Sequence, residues 1–175
     1  MSGARVEIRV DDAQVKGAFA RLFEFTDDLT PVMRSIGAQL RQHVDERFED
    51  ARGPGRLPWT PSRRAREQGG QTLTDTARLR QSMTFRADKA SVEVGTNVAY
   101  AATHQFGATI RAKTAKGLVF RVGRGPGGWR RVRQVVIPAR PFLGIDQQDR
   151  DAIDAIVTDH LARLSGAGPA SAPPA

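Results

Sequence analysis

The sequence contains no cysteine. Disulfide frameworks and thiolate metal sites are therefore excluded, and synthesis in a reducing cytosol is the expected setting. Histidine is scarce as well: His43, His104 and His160 lie far apart, each on a predicted helix, and none has a second ligand at a spacing such as HxxxH. No apolar run approaches the length of a membrane-spanning helix, and MSGARVEIRVDDAQ lacks the apolar stretch of a signal peptide. The expectation is a soluble protein without a membrane partner.

A further absence is local. Between Glu93 and Asp146 there is no acidic residue, while Arg111, Lys113, Lys116, Arg121, Arg124, Arg130, Arg131, Arg133 and Arg140 all fall there. Those nine account for the charge imbalance: the chain carries 27 basic residues against 19 acidic ones, for a net charge of +8, so the remainder is close to neutral. A cationic surface confined to one segment implies a polyanionic neighbour, either nucleic acid or an acidic protein face. The competing reading is a solvated loop whose charges only maintain solubility.

The chain's length suits a single domain, expected over residues 1–165, with GAGPASAPPA at 166–175 as a disordered tail. Val6, Ile8 and Val10 alternate with polar residues and predict a strand. Asp11 or Asp12 can cap a helix from Ala13 to about Phe25, with Val15, Phe19, Leu22 and Phe23 on one face. Thr30-Pro31 is a second helix start. Val32, Ile36, Leu40, Val44 and Phe48 then recur every fourth residue until the GPG at Gly53 stops the helix.

Pro54 to Thr74 reads as a long polar loop carrying Arg63, Arg64 and Arg66, with Trp59 as an anchor between two prolines. Asp75–Gln81 makes one or two helical turns. Ser82–Ala87 and Ser91–Gly95 are strands about a turn at Asp88 and Lys89, and Ala99–Phe106 is a short helix stopped by Gly107. Strands follow at Ala108–Ala112, Leu118–Val122 and Arg131–Ile137, with GRGPGGW as a wide turn. Asp146 caps a last helix in which Ile153, Ile156, Val157, His160, Leu161 and Leu164 share one face, ending by Gly166.

Catalytic signatures are missing. There is no GxSxG elbow and no Ser/His/Asp set, and the chain is expected not to be an enzyme and to need no cofactor or metal. The glycines from Gly123 to Gly128 echo a phosphate loop, but Pro126 sits among them and a strand follows where a helix N-terminus is required. The spacings Arg41–Asp45 and Asp45–Glu49 describe the wet face of the long helix.

Three segments carry a more specific signal. LTDTARLRQSMTF (Leu73 to Phe85) precedes VEVGTNVAYAATHQFGATI (Val92 to Ile110), and VIPARPFLGI (Val136 to Ile145) follows. Read through Ala77, Leu79 and Ser82, then Gly95, Thr96, Tyr100, Ala101, His104, Gln105 and Gly107, then Ile137 to Gly144, this order resembles the phage virion morphogenesis family, which includes tail-completion proteins. The Trp59-Thr60-Pro61 step agrees, and the resemblance extends from about Thr30 to Leu164.

The resemblance implies an α+β fold: a small antiparallel sheet packed against the long helix and flanking N- and C-terminal helices. The basic stretch between Ile110 and Val136 departs from the simplest family pattern as a long β-hairpin insertion. It also implies a structural protein acting in tail completion or head-tail joining, a ring such as a hexamer or dodecamer of identical subunits. Such a ring would sit in the virion at the neck or head-proximal tail end, against neighbouring neck and tail proteins, after synthesis in the bacterial host cytoplasm. The alternative function is a DNA-binding packaging accessory protein, though no helix-turn-helix or zinc finger is present.

Two residue sets follow. Arg111, Lys113, Lys116, Arg121, Arg124, Arg130, Arg131 and Arg133 are candidates for contact with an acidic partner or, without sequence preference, packaged double-stranded DNA. Trp59, Tyr100, His104, Phe106, Gly107, Pro138, Arg140, Pro141 and Phe142 are the candidate assembly motif. Pro138 and Pro141 fix an extended path and remove two backbone donors, which suits an edge or subunit contact. Phe142 and Leu143 can bury, and Tyr100, His104 and Phe106 are expected to cluster around Gly107.

Overall fold

The computed structural model describes Gly17, Ala20, residues 28–121 and residues 128–165, with the backbone alone at Arg121. The expected strand at Val6–Val10, the turn glycines from Gly123 to Gly127 with Arg124, and the 166–175 tail lie outside the described residues. So does the expected helix from Ala13 to Phe25, apart from Gly17 and Ala20, which are helical. Helices and small antiparallel sheets make this an α+β protein.

The periodic apolar run produces α1, Thr30–Asp50. Val32, Ile36, Val44 and Phe48 are buried as the spacing predicts, Met33 joins them, and Leu40 is half-buried. The first turn is capped from outside: Thr30 N–H donates to the Asp28 carboxylate at 2.9 Å, and hydrogen bonds from Thr30 hold that carboxyl below its usual range. Ala51, at φ 51, leaves the helical conformation and ends the helix.

The long polar stretch contains more structure than its composition suggests. A 3-10 turn at Pro54–Arg56 is followed by α2, Arg63–Gln68. Ser62 caps α2 by accepting from Ala65 N–H at 3.1 Å, and Arg63 pairs with Glu67 one turn on at 2.7 Å. Then come α3 (Arg78–Gln81), β1 (Thr84–Ala87), β2 (Val92–Gly95) and α4 (Ala101–Phe106). The Asp88 carboxylate accepts from Ala90 and Ser91 N–H groups and so builds the β1–β2 turn.

The remaining strands are β3 (Ala108–Arg111), β4 (Leu118–Arg121), β5 (Trp129–Val132) and β6 (Gln134–Ile137), followed by α5 (Gln147–Leu164). Among the described residues the strands form three antiparallel pairs, β1–β2, β3–β6 and β4–β5, and not one sheet. The expected strand Arg131–Ile137 is divided at Arg133, because the two halves pair in different registers: Ala108 faces Ile137, whereas Leu118 faces Val132. Residues 113–117, a bend and turn between β3 and β4, have no counterpart between β5 and β6.

The described chain forms two compact units. A helical unit comprises 28–46, 83–95 and 143–165, and an arm unit comprises 47–82, 96–121 and 128–142. In the helical unit Leu29, Val32, Met33 and Ile36 of the α1 side pack with Ile153 and Val157 of α5, and Ala87 and Val92 of the β1–β2 pair close over them. Leu164, expected on the same stripe, is 41% exposed because the stripe fades in the last turn before Ser165.

Gly37 lies where the Phe85 ring crosses α1, and an added Cβ would collide with that ring. Alanine favours a helix interior by about 1 kcal/mol over glycine. Even so, Gly37→Ala is expected to destabilise the protein by about 1–2 kcal/mol through overpacking. Thermal unfolding measures it, and a raised Tm would contradict this packing.

The helical unit also holds a buried polar pair. Asp149, 1% exposed, completes a capping box at the start of α5: it accepts from Asp146 N–H at 2.9 Å while Asp146 accepts from Asp149 N–H at 3.1 Å. Its other oxygen lies 2.7 Å from His43 Nδ1, and His43 Nε2 is 2.9 Å from the Gln39 amide nitrogen. An ionised Asp149 can only accept, so His43 donates from Nδ1.

Candidate functional site

The Val136–Phe142 part of the VIPARPFLGI block is held by groups from three separate parts of the arm unit. Its backbone runs on from β6 as an extended segment in which Pro138 and Pro141 supply no N–H. Such a segment cannot join a ladder, so its remaining polar groups need other partners. Arg140 N–H donates to His104 carbonyl at 2.7 Å, and Phe142 N–H donates to Gln105 Oε1 at 3.0 Å. Trp59 Nε1 donates to Pro141 carbonyl at 2.7 Å, and Arg47 Nη1 donates to Phe142 carbonyl at 3.3 Å.

Apolar packing closes this clamp. Phe142 is 1% exposed, with its ring 5.4 Å from Phe48, and Trp59 meets Phe48 edge-on at 5.5 Å. Two glycines admit the backbone. At Gly53 a Cβ would stand 2.7 Å from Pro141 carbonyl, and at Gly107, where φ is +72, it would stand 2.8 Å from Ala139 N. The second is doubly restrictive, since an L side chain is strained at that φ even where space exists.

Arg140 is a correction to the picture of one uniform cationic surface. It is 5% exposed, and its Nε donates to Thr60 carbonyl at 2.7 Å. A guanidinium with a fixed fork of donors can satisfy a carbonyl while its stem packs, so this arginine ties the block to the Trp59-Thr60-Pro61 step.

The expected cluster of Tyr100, His104 and Phe106 is only partly assembled. Tyr100 and His104, one helical turn apart, meet edge-on at 5.8 Å, but Phe106 is 65% exposed. A six-residue helix brings i and i+4 together and turns i+6 elsewhere. Burial, and secondarily the nearby Arg140 guanidinium, hold His104 below the usual imidazole range. Its Nδ1 is buried with no hydrogen-bond partner among the described residues. Pro138 and Pro141 are both exposed.

The basic candidates sit on a two-stranded arm. Ala112 N–H donates to Arg133 carbonyl at 2.8 Å and connects the β3–β6 pair to the β4–β5 pair. Arg111, Lys113, Lys116, Arg130, Arg131 and Arg133 are all exposed there; Arg121 is placed by its backbone in β4, and Arg124 lies outside the described residues. Exposed apolar side chains accompany the charges: Ile110 at 42%, Val119 at 53%, Trp129 at 65% and Val136 at 64%.

Of the residues that hold this segment, the sequence alone names Trp59, Gly107, Arg140 and Phe142 as candidates, and it does not name Arg47 or assign these contacts to Gly53 and Gln105. Gln105 stands out only through its place in the motif block, and nothing in the sequence separates Arg47 from the other charges of α1. Among the described residues no group of His, Asp or Glu side chains could hold a metal ion, and no helix is long and apolar enough to cross a membrane.

Comparison with known proteins gives these features a setting. The chain is 34% identical over 160 residues to Mu-like prophage FluMu G protein 2 of Haemophilus influenzae, an alignment covering 91% of this chain and 98% of that relative. No solved structure matches it. The profile of the phage virion morphogenesis family matches residues 10–162, a span containing both the clamp and the arm. The chain belongs to the phage virion morphogenesis family.

Proposed function

We propose that this protein is a non-enzymatic structural subunit of a tailed phage or prophage particle that completes the tail and joins it to the head. It assembles as a homo-oligomeric ring, a hexamer or dodecamer, at the neck or the head-proximal end of the tail, against the neighbouring neck and tail proteins. The observation that carries this reading is the clamp. Gln105, Trp59, Arg140 and Phe142 lie in or beside the family's sequence blocks, and each holds backbone in place or fills the core around it. Motif residues spent on fixing an extended segment describe a part that must keep its shape in an assembly.

A second reading, a DNA-binding packaging accessory protein, draws support from the exposed cations of the arm. Negative-stain microscopy of particles made without this protein separates the two. The structural reading predicts full heads and separate tails that fail to join. Normally joined particles with empty heads would favour the accessory role.

A further inference from the structure

The arm is built to be covered. An isolated two-stranded ribbon is marginal in water, and the described part of this one extends about 26 Å from Trp129 to Ile137 at the usual rise per residue. Both of its pairs show apolar surface. On β4–β5, Val119 lies opposite Arg131, so Val119, Arg131 and Trp129 share one face, while Phe120 lies opposite Arg130 on the other. On β3–β6, Val136 is opposite Thr109. Phe120 is 37% exposed, and Val119, Trp129 and Val136 exceed half.

This mixture discriminates between partners. A phosphate backbone is met by cations and polar donors, and valine or isoleucine set against it would lose water for little return. A protein face of opposite charge satisfies both components, since apolar residues bury while the flanking arginines pair at the rim. Arg111, Lys113, Lys116, Arg130, Arg131 and Arg133 make no ion pair among the described residues. Within this chain α5 presents the complement: Gln147, Asp151, Asp154 and Thr158 form an exposed stripe, with Ala155 beside it, while the neighbouring Asp159 pairs with Arg163 at 2.7 Å. Among the described residues Asp151 is engaged only by Gln147 of its own helix, at 2.8 Å.

We infer that the basic, apolar arm of one subunit packs across the acidic outer stripe of α5 in a second copy of this chain. The inference rests on the self-association proposed above and names its contact. Each subunit carries one arm and one stripe, so the contact is head-to-tail, the kind that closes a ring when the rotation allows.

Charge reversal tests it. Two variants, Arg130→Glu/Arg131→Glu on the arm and Asp151→Lys/Asp154→Lys on α5, are compared with the unaltered chain by sedimentation velocity at low and high salt, circular dichroism verifying the fold. Each variant alone is expected to weaken self-association by roughly tenfold or more. An equimolar mixture of the two is expected to recover it, because reversed arms then meet reversed stripes on different copies. Self-association unaffected by either variant would overturn the arm contact and leave the ring reading standing. A monomeric unaltered chain at high concentration would remove both. Arm variants that lose duplex DNA binding while oligomers persist would overturn the inference in favour of a nucleic-acid surface.

Discussion

Replacing Phe142 with alanine is expected to destabilise the arm unit by about 3–5 kcal/mol, the range for emptying a buried phenylalanine site. The residue is 1% exposed and packs against Phe48, which in turn supports Trp59. Collapse cannot fill the hole easily, because Pro141, the bond from Phe142 N–H to Gln105 and the bond from Arg47 to Phe142 carbonyl fix the backbone on either side. A loss of that size is a large share of a domain's usual stability of about 5–15 kcal/mol. Trp59→Phe is the milder control. It keeps a ring against Phe48 but leaves Pro141 carbonyl without its indole partner, for about 1–3 kcal/mol. Urea unfolding followed by circular dichroism measures both. A change below about 1 kcal/mol for Phe142→Ala would show that the segment is not held as described.

The second large effect concerns the helical unit. His43→Ala is expected to cost about 3–5 kcal/mol, because it leaves the Asp149 carboxylate buried beside an empty space. Asp149→Ala removes the same contact and also half of the capping box of α5. Asp149→Asn should also destabilise, since the two carboxylate oxygens accept separately from His43 Nδ1 and from Asp146 N–H and a single amide oxygen can keep only one of those bonds. The double variant His43→Ala/Asp149→Ala should fall well short of the summed single losses, because both changes remove the same buried contact. Strict additivity in urea unfolding would contradict a coupled pair.

The legible parts of this fold are those with strong local signals. The apolar spacing of α1 places Val32, Ile36, Val44 and Phe48 inside. Asp146 announces α5, and Gly107 marks a turn that only glycine fits without strain. Helix α2 has no apolar face to report it; its signals are Ser62 as a cap and the Arg63–Glu67 spacing, both easily lost in a stretch rich in glycine and proline. The division of the last strand at Arg133 depends on register against a distant partner, and no local pattern encodes it.

The candidate site divides in the same way. Aromatic and proline residues of the motif blocks draw attention by type, and Trp59 and Phe142 lie at the centre of the clamp. Arg140 is singled out by its place in the VIPARPFLGI block and not by its type, because arginine in an acid-free basic stretch also reads as surface charge, whereas its guanidinium is committed to Thr60 carbonyl inside the unit. His43 and Asp149 are buried partners 106 residues apart, and neither carries a motif. Long-range polar pairing of this kind is visible only once the chain is folded.

The central claim, that this family member is the subunit that completes tails so that they join heads, is tested most directly by adding the purified protein to an extract of particles made without it. Joined, infectious particles should appear in proportion to the protein added, and the Phe142→Ala chain should restore few of them. Heads and tails that join equally well without the protein would contradict the account.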